Sequence, residues 1–138
     1  MSTAAAGGIV LVDTNVVSFF FKGDTRAALY QPHLAGRLQI IAAQTRAELE
    51  LWTLVNNWGR RRRAALSAYL NNFVLAETDE PICLRWAVVQ DEARRRGRPI
   101  SVSDAWVAAT ALVHMVPLVT HNPNDFKNVS GLMVVTEK

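Results

Sequence analysis

Apolar residues recur along the chain in two distinct patterns. Short branched runs appear at Ile9-Val10-Leu11-Val12, at Leu38-Gln39-Ile40-Ile41-Ala42 following Arg37, at Phe73-Val74-Leu75-Ala76, at Pro117-Leu118-Val119-Thr120 and at Leu132-Met133-Val134-Val135. Runs of this length read as strands, and unbroken apolarity marks a strand covered on both faces, as at the centre of a parallel sheet. Between the runs the spacing turns helical. Val16 to Phe21 predicts a short helix that breaks at Lys22-Gly23-Asp24, and a second, over 26–30, is short or kinked where it meets Pro32. A helix over 44–57 shows Ala47, Leu51, Leu54, Val55 and Trp58 as its apolar face. Another starts at Arg60 and turns Leu66, Tyr69 and Leu70 inward; Glu80-Pro81 opens a long helix towards Gly97; and Ser101 to Asp104 begins one that reaches Met115. Strands separated by helical segments predict an α/β fold, three layers with a central, mainly parallel sheet of four to five strands.

A chain of 138 residues, half of them apolar, forms one domain over 1–138, with residues 1–8 as a flexible lead-in. The single Cys83 excludes an internal disulfide and is expected to be a small buried hydrophobe, and a reducing cytoplasm is the expected compartment. No leader is recognisable at the N-terminus, no apolar stretch is long enough to span a bilayer, and no membrane association is expected. The net charge is only +3, but the arginines cluster as Arg60, Arg61, Arg62 and Arg63 and as Arg94, Arg95, Arg96 and Arg98. Such runs suit phosphate backbones; the competing reading is a solvated helix face, and for the second run a favourable position at a helix C-terminus.

Three carboxylates stand out from the ordinary surface acids. Asp13 ends the first apolar run, where ligands bind in parallel sheets, although it would also cap the next helix. Asp104 stands at the head of the stripe Val107, Ala108, Ala111, Leu112 and Met115, and Glu48 adjoins Leu51 and Trp52. Capping boxes from Ser101 to Asp104 and from Thr45 to Glu48 are the local alternatives. All three acids follow a predicted strand or open a helix, so they are expected to converge at one end of the sheet. Their repulsion there would raise their pKa values unless a divalent cation neutralised them, and an all-oxygen donor set selects Mg²⁺ or Mn²⁺. A fourth donor is expected from Thr120, Asn122 or Asp125 in the loop after the fourth strand. His121 in that loop reads as incidental, and His33 and His114 have no evident partner.

Asp13-Thr14-Asn15-Val16, the Glu48 helix, Ser103-Asp104 with Ala108-Ala109-Thr110-Ala111, and Thr120-His121-Asn122-Pro123-Asn124-Asp125-Phe126 together resemble a PIN domain, over nearly the whole chain from Ile9 to Val135. Length and the opening DTNVVS are most similar to the VapC-type toxins of toxin–antitoxin pairs. The resemblance implies a PIN-like three-layer fold and a metal-dependent endoribonuclease, with Asp13, Glu48 and Asp104 as the acidic triad on Mg²⁺ or Mn²⁺. Asp125 joins them as a catalytic candidate, with Thr14, Asn15, Thr120 and Asn122 in support. It also implies a homodimer that cleaves tRNA or ribosomal RNA and is silenced by a cognate antitoxin. Where such proteins often carry a fourth acid this chain has Asn122, which leaves open whether Asn122 or Asp125 completes the site. Asp13 and Asp104 are expected to ligate the metal, Glu48 to orient water, and arginines of either run to hold the RNA backbone.

Two other classes compete. A phosphoacceptor receiver is also a small α/β sheet with acids at strand ends, but it resembles this chain less, since Asp13 has no acidic neighbour and Lys138 is terminal. A non-catalytic RNA- or protein-binding module would have little use for the acids, which repel phosphate. A nuclease serving RNA processing outside a toxin–antitoxin pair fits the same residues. Phe19, Phe20, Phe21 and Trp52 are expected in the core rather than on a dimer or antitoxin surface, as are Trp58, Trp86 and Trp106.

Overall fold

The structure, a computed structural model, describes residues 8–138. The expected lead-in thus lies outside the described residues except for Gly8, whose carbonyl accepts from the Leu38 amide at 3.0 Å. β1 (Ile9–Val12) leads into α1 (Thr14–Lys22) and α2 (Ala27–Leu34), and β2 (Leu38–Ala42) into α3 (Ala43–Val55) and α4 (Arg60–Leu70). β3 (Val74–Ala76) is followed by α5 (Glu80–Arg95) and α6 (Val102–His114), then β4 (Leu118–Val119), a 3-10 turn over Pro123–Asp125, and β5 (Val134–Val135).

The strands lie in the order β3-β2-β1-β4-β5, every neighbouring pair parallel. Chain order therefore grows outward from β1 in one direction and resumes on its other side with β4. Parallel sheets bind ligands at such a reversal, beyond the carboxyl ends of the two strands. Register fixes what meets there: Val12 pairs with Val119, so the next residues, Asp13 and Thr120, emerge side by side.

Alternation along β1 builds a core on each face. Val10 and Val12 join Val16, Val17, Phe19, Tyr30, Leu34, Leu49, Leu66 and Leu70 from α1 to α4. Leu11 points the other way, with Ile40, onto Val107, Ala108 and Ala111 of α6 and onto Phe126. The result is the expected three-layer arrangement, and α5 reaches the sheet chiefly through α6.

Several local expectations are corrected. α3 buries Thr45, Leu49 and Thr53, while Ala47 is exposed and Leu51, Leu54 and Val55 are 56%, 59% and 66% exposed. The helix is thus rotated from the expected face: its more apolar stripe looks outward, the Thr45 hydroxyl finding a partner inside in Thr14 and the Thr53 hydroxyl being satisfied by the Glu50 carbonyl of its own helix. The Thr45–Glu48 capping box is absent because the helix begins earlier, with Ala42 as N-cap, which leaves Thr45 inside it. α2 continues through Pro32 to Leu34. Cys83 is exposed, on the outer side of α5. Trp52, Trp58, Trp86 and Trp106 are only half-buried, and the last two stack on each other with ring centroids 4.8 Å apart. His33 does have a partner, Glu137, at 2.6 Å. Among the described residues no helix is long and apolar enough to cross a membrane.

Candidate active site

Asp13 follows β1 directly and is the N-cap of α1, so its position is fixed from both sides. Its Oδ1 accepts from the Thr14 amide at 2.9 Å and its Oδ2 from the Thr120 hydroxyl at 2.8 Å. The side chain is 8% exposed. Burial pushes its pKa up to about 6 against those two hydrogen bonds, with the charges of Asp104 and Glu48 adding to the rise. The capping role and a role in the cleft therefore coexist, since one oxygen serves each.

Glu48 faces the same space from α3. The Thr14 hydroxyl donates to its Oε1 at 2.8 Å and lies 2.9 Å from the Thr45 hydroxyl. Since a carboxylate only accepts, Thr14 gives its proton to Glu48 and takes one from Thr45. That relay explains why a threonine occupies a fully buried position on α3.

Asp104 stands in the first turn of α6. Ser101 caps this helix by accepting from the Asp104 amide at 3.0 Å, a contact worth about 1 kcal/mol to the helix. Burial raises the Asp104 pKa; the Ser101 hydroxyl acts against this, and the charges of Asp125 and Glu48 add to it. Asp125 itself comes from the 3-10 turn and is exposed.

These side chains line one cleft of about 210 Å³, formed by Asp13, Thr14, Asn15, Glu48, Trp52, Asp104, Asn122 and Asp125. Thr120 lies just beneath. Besides donating to Asp13, its hydroxyl accepts from the Asn122 amide at 3.1 Å and lies 3.5 Å from the Asn15 amide nitrogen. Asn15 in turn accepts from the His121 amide at 3.2 Å. Of the three candidates for the fourth donor, Asn122 and Asp125 reach the rim, whereas Thr120 is spent on Asp13. Among the described residues no lysine or arginine forms a salt bridge with any of the four acids, so their mutual repulsion is unrelieved from within. Nor do three of them stand close enough, as placed, to ligate one ion directly. Spread oxygen donors around an open cleft fit a hydrated Mg²⁺ or Mn²⁺, which keeps several waters and takes one or two carboxylates, better than a closed protein cage.

Residues 10–132 match the PIN domain. The chain belongs to the PIN domain family. It is 25% identical over 126 residues to Ribonuclease VapC1 of Haemophilus influenzae (strain R2866), covering 90% of this chain and 94% of that one. It is 27% identical over 128 residues to Ribonuclease VapC4 of Mycobacterium tuberculosis, covering 91% and 95%. Among solved structures, VapBC-1 from nontypeable Haemophilus influenzae superposes with a TM-score of 0.80 at 24% identity, over 93% and 97% of the two chains. The fold is thus the one found in PIN structures.

In this PIN domain two neighbours of the cleft were not legible from sequence as functional. Trp52 packs against the core on one side, as expected, and lines the cleft on the other. Tyr30, fully buried, accepts from the Glu137 amide at 3.1 Å, and its hydroxyl is hydrogen-bonded to Nδ1 of His121, 2.5 Å away. Burial lowers the His121 pKa, as do the charges of Lys138 and Arg26. Through the Tyr30 contact the imidazole braces the 120–122 loop from behind. The signal for this pair was absent: the two residues are 91 positions apart.

The two arginine runs differ. In the second, Arg94 and Arg95 share Asp91 at 2.6 and 2.8 Å, and Arg96 donates to the Asn128 carbonyl and the Ser130 hydroxyl. In the first, none of Arg60 to Arg63 forms a salt bridge among the described residues.

Proposed function

We propose that this PIN domain is a divalent-metal-dependent endoribonuclease, the toxin of a VapBC-type toxin–antitoxin pair, restrained by a cognate antitoxin and acting as a homodimer. The observation that carries this is the set of four carboxylates lining one cleft at the strand-order reversal with no internal cation to balance them. The ribonuclease names of its relatives support the reaction class, and the VapBC complexes among its structural neighbours support an antitoxin partner.

Asp13 and Asp104 would hold the ion, with Asn122 or Asp125 at the outer rim. Bound there, Mg²⁺ or Mn²⁺ lowers the pKa of water and offsets charge on the phosphate. Glu48, fixed by Thr14, would orient the attacking water; the water oxygen bonds to phosphorus as the opposite P–O bond breaks in line, the water's proton passing to solvent and the departing oxygen taking one from solvent. Thr120, Thr14 and Asn15 keep the Asp13 carboxylate and the 120–122 loop in place. Trp52 and Asn122 bound the space left for RNA.

Purified protein is expected to cleave RNA with Mg²⁺ or Mn²⁺ and to stop in excess EDTA. Asp104→Asn is expected to abolish cleavage with an unchanged circular-dichroism spectrum and a cooperative melting transition. Equal cleavage in EDTA, or RNA that is bound but never cut, would overturn the assignment.

A further inference from the structure

Trp52 is the one aromatic wall of the acidic cleft among the described lining residues, and it is not isolated. The Lys22 ammonium lies 4.8 Å from its ring centroid. Phe21, the preceding residue, stacks on Trp58 with centroids 5.9 Å apart and planes 21° from parallel. The Arg62 guanidinium covers the Trp58 ring at 3.8 Å. Consecutive residues of α1 thus link a ring at the cleft to a ring at the start of α4, and each ring carries a cation.

Of the arginines at the far end Arg62 is engaged on Trp58, while Arg60, Arg61 and Arg63 form no side-chain hydrogen bond or ion pair among the described residues. Arg60 to Arg63 form the first turn of α4, where the helix dipole is positive and disfavours added positive charge. They are exposed, and none forms a salt bridge among the described residues. Arg94 and Arg95, by contrast, sit at a helix C-terminus and share a carboxylate. Four arginines placed against the helix dipole therefore call for a negative charge from outside. Alternating rings and cations are the combination that binds single-stranded nucleic acid, bases on the rings and phosphates on the cations.

Resting on the nuclease reading above, we propose that a single-stranded stretch of RNA flanking the cleaved bond leaves the acidic cleft across Trp52, passes Lys22 and Trp58, and ends its phosphate contacts on Arg60, Arg61 and Arg63. Trp52 stacks on the base next to the reacting phosphate and sets its position. The first arginine run, not Arg94 and Arg95, is the backbone contact.

The test is steady-state cleavage of a labelled 20-nucleotide single-stranded RNA of mixed sequence in Mg²⁺, over a salt series, with the full chain. The triple variant Arg60→Ala/Arg61→Ala/Arg63→Ala is expected to raise KM about tenfold with kcat within about twofold, and to reduce the salt slope of kcat/KM by about 2, at roughly 0.7 per lost phosphate contact. Arg94→Ala/Arg95→Ala is expected to change neither. Trp52→Leu should raise KM about fivefold and reduce the quenching of tryptophan fluorescence by RNA. Lys22→Ala, wholly at the surface, reads the same contact without risk to folding and is expected to raise KM about threefold. If the wild type cuts RNA while the triple variant and Lys22→Ala keep its KM and salt slope, the path is wrong and the nuclease reading stands. Equal losses from the two arginine sets also overturn it. Intact RNA kinetics with loss of a bound protein partner would make this face a protein surface instead. A wild type that cuts no RNA with either metal overturns both proposals.

Discussion

The Thr120 hydroxyl donates to Oδ2 of Asp13 at 2.8 Å, across the gap where β4 lies against β1. This bond joins the two strands whose order reverses, and it opposes the burial that pushes the Asp13 pKa up to about 6. Thr120→Val keeps the shape and removes the proton. Losing a hydrogen bond to the charged form raises the pKa further. The acidic limb of the rate–pH profile is expected to move up by about one unit, so that activity falls about twofold at pH 7 and approaches a tenfold loss only below about pH 6.

Stability in the absence of metal follows from the same shift. Asp13 holds its proton more tightly in the folded state than in the unfolded chain, where the pKa is 3.8. The folded state therefore binds more protons between about pH 4 and 6, and its stability falls as pH rises through that window. By this group alone the loss is on the order of 2–3 kcal/mol at neutral pH. Thermal melts in EDTA should show it, and Asp13→Asn should abolish the trend while raising the neutral-pH melting temperature and eliminating cleavage.

Metal should reverse the penalty. An ion that binds only the folded site stabilises it by mass action, so millimolar Mg²⁺ or Mn²⁺ is expected to raise the melting temperature at pH 7. Asp104→Asn should lose most of that increment. The readout is a melting curve and needs no RNA.

Tyr30→Phe examines the brace behind the loop. It deletes the hydroxyl that links the Glu137 amide to His121, at a cost of about 1–2 kcal/mol in this buried setting. Loss of the contact is expected to appear as a change in the His121 imidazole chemical shifts by NMR. A modest fall in activity should accompany it, because His121 and Asn122 carry the loop that meets Asn15 and Thr120.

What could be read from sequence was whatever sequence order itself determines. Ile9 to Asp13 announced a central strand with an acid at its end because strand type and ending are local properties. Asp104 was conspicuous because the residues after it left a carboxylate at the head of an apolar stripe. The rotation of α3 was not readable: Leu51, Leu54 and Val55 outnumber Thr45, Leu49 and Thr53 in hydrophobicity, and only Thr14, 31 positions away from Thr45, makes the polar side the inner one. Leu51→Glu is accordingly expected to shift stability by no more than about 0.5 kcal/mol in chemical denaturation. The half-exposed tryptophans misled for the same reason, since an indole's ring favours burial wherever a neighbour offers it, and neighbours are not written in spacing.

Asp13 and Thr120 are 107 residues apart along the chain. During synthesis the first carboxylate leaves the ribosome long before the strand that orients it. A growing or truncated chain that lacks β4 has Asp13, Glu48 and Asp104 but no cleft to gather them, so cutting ability would be acquired only once β4 has paired with β1.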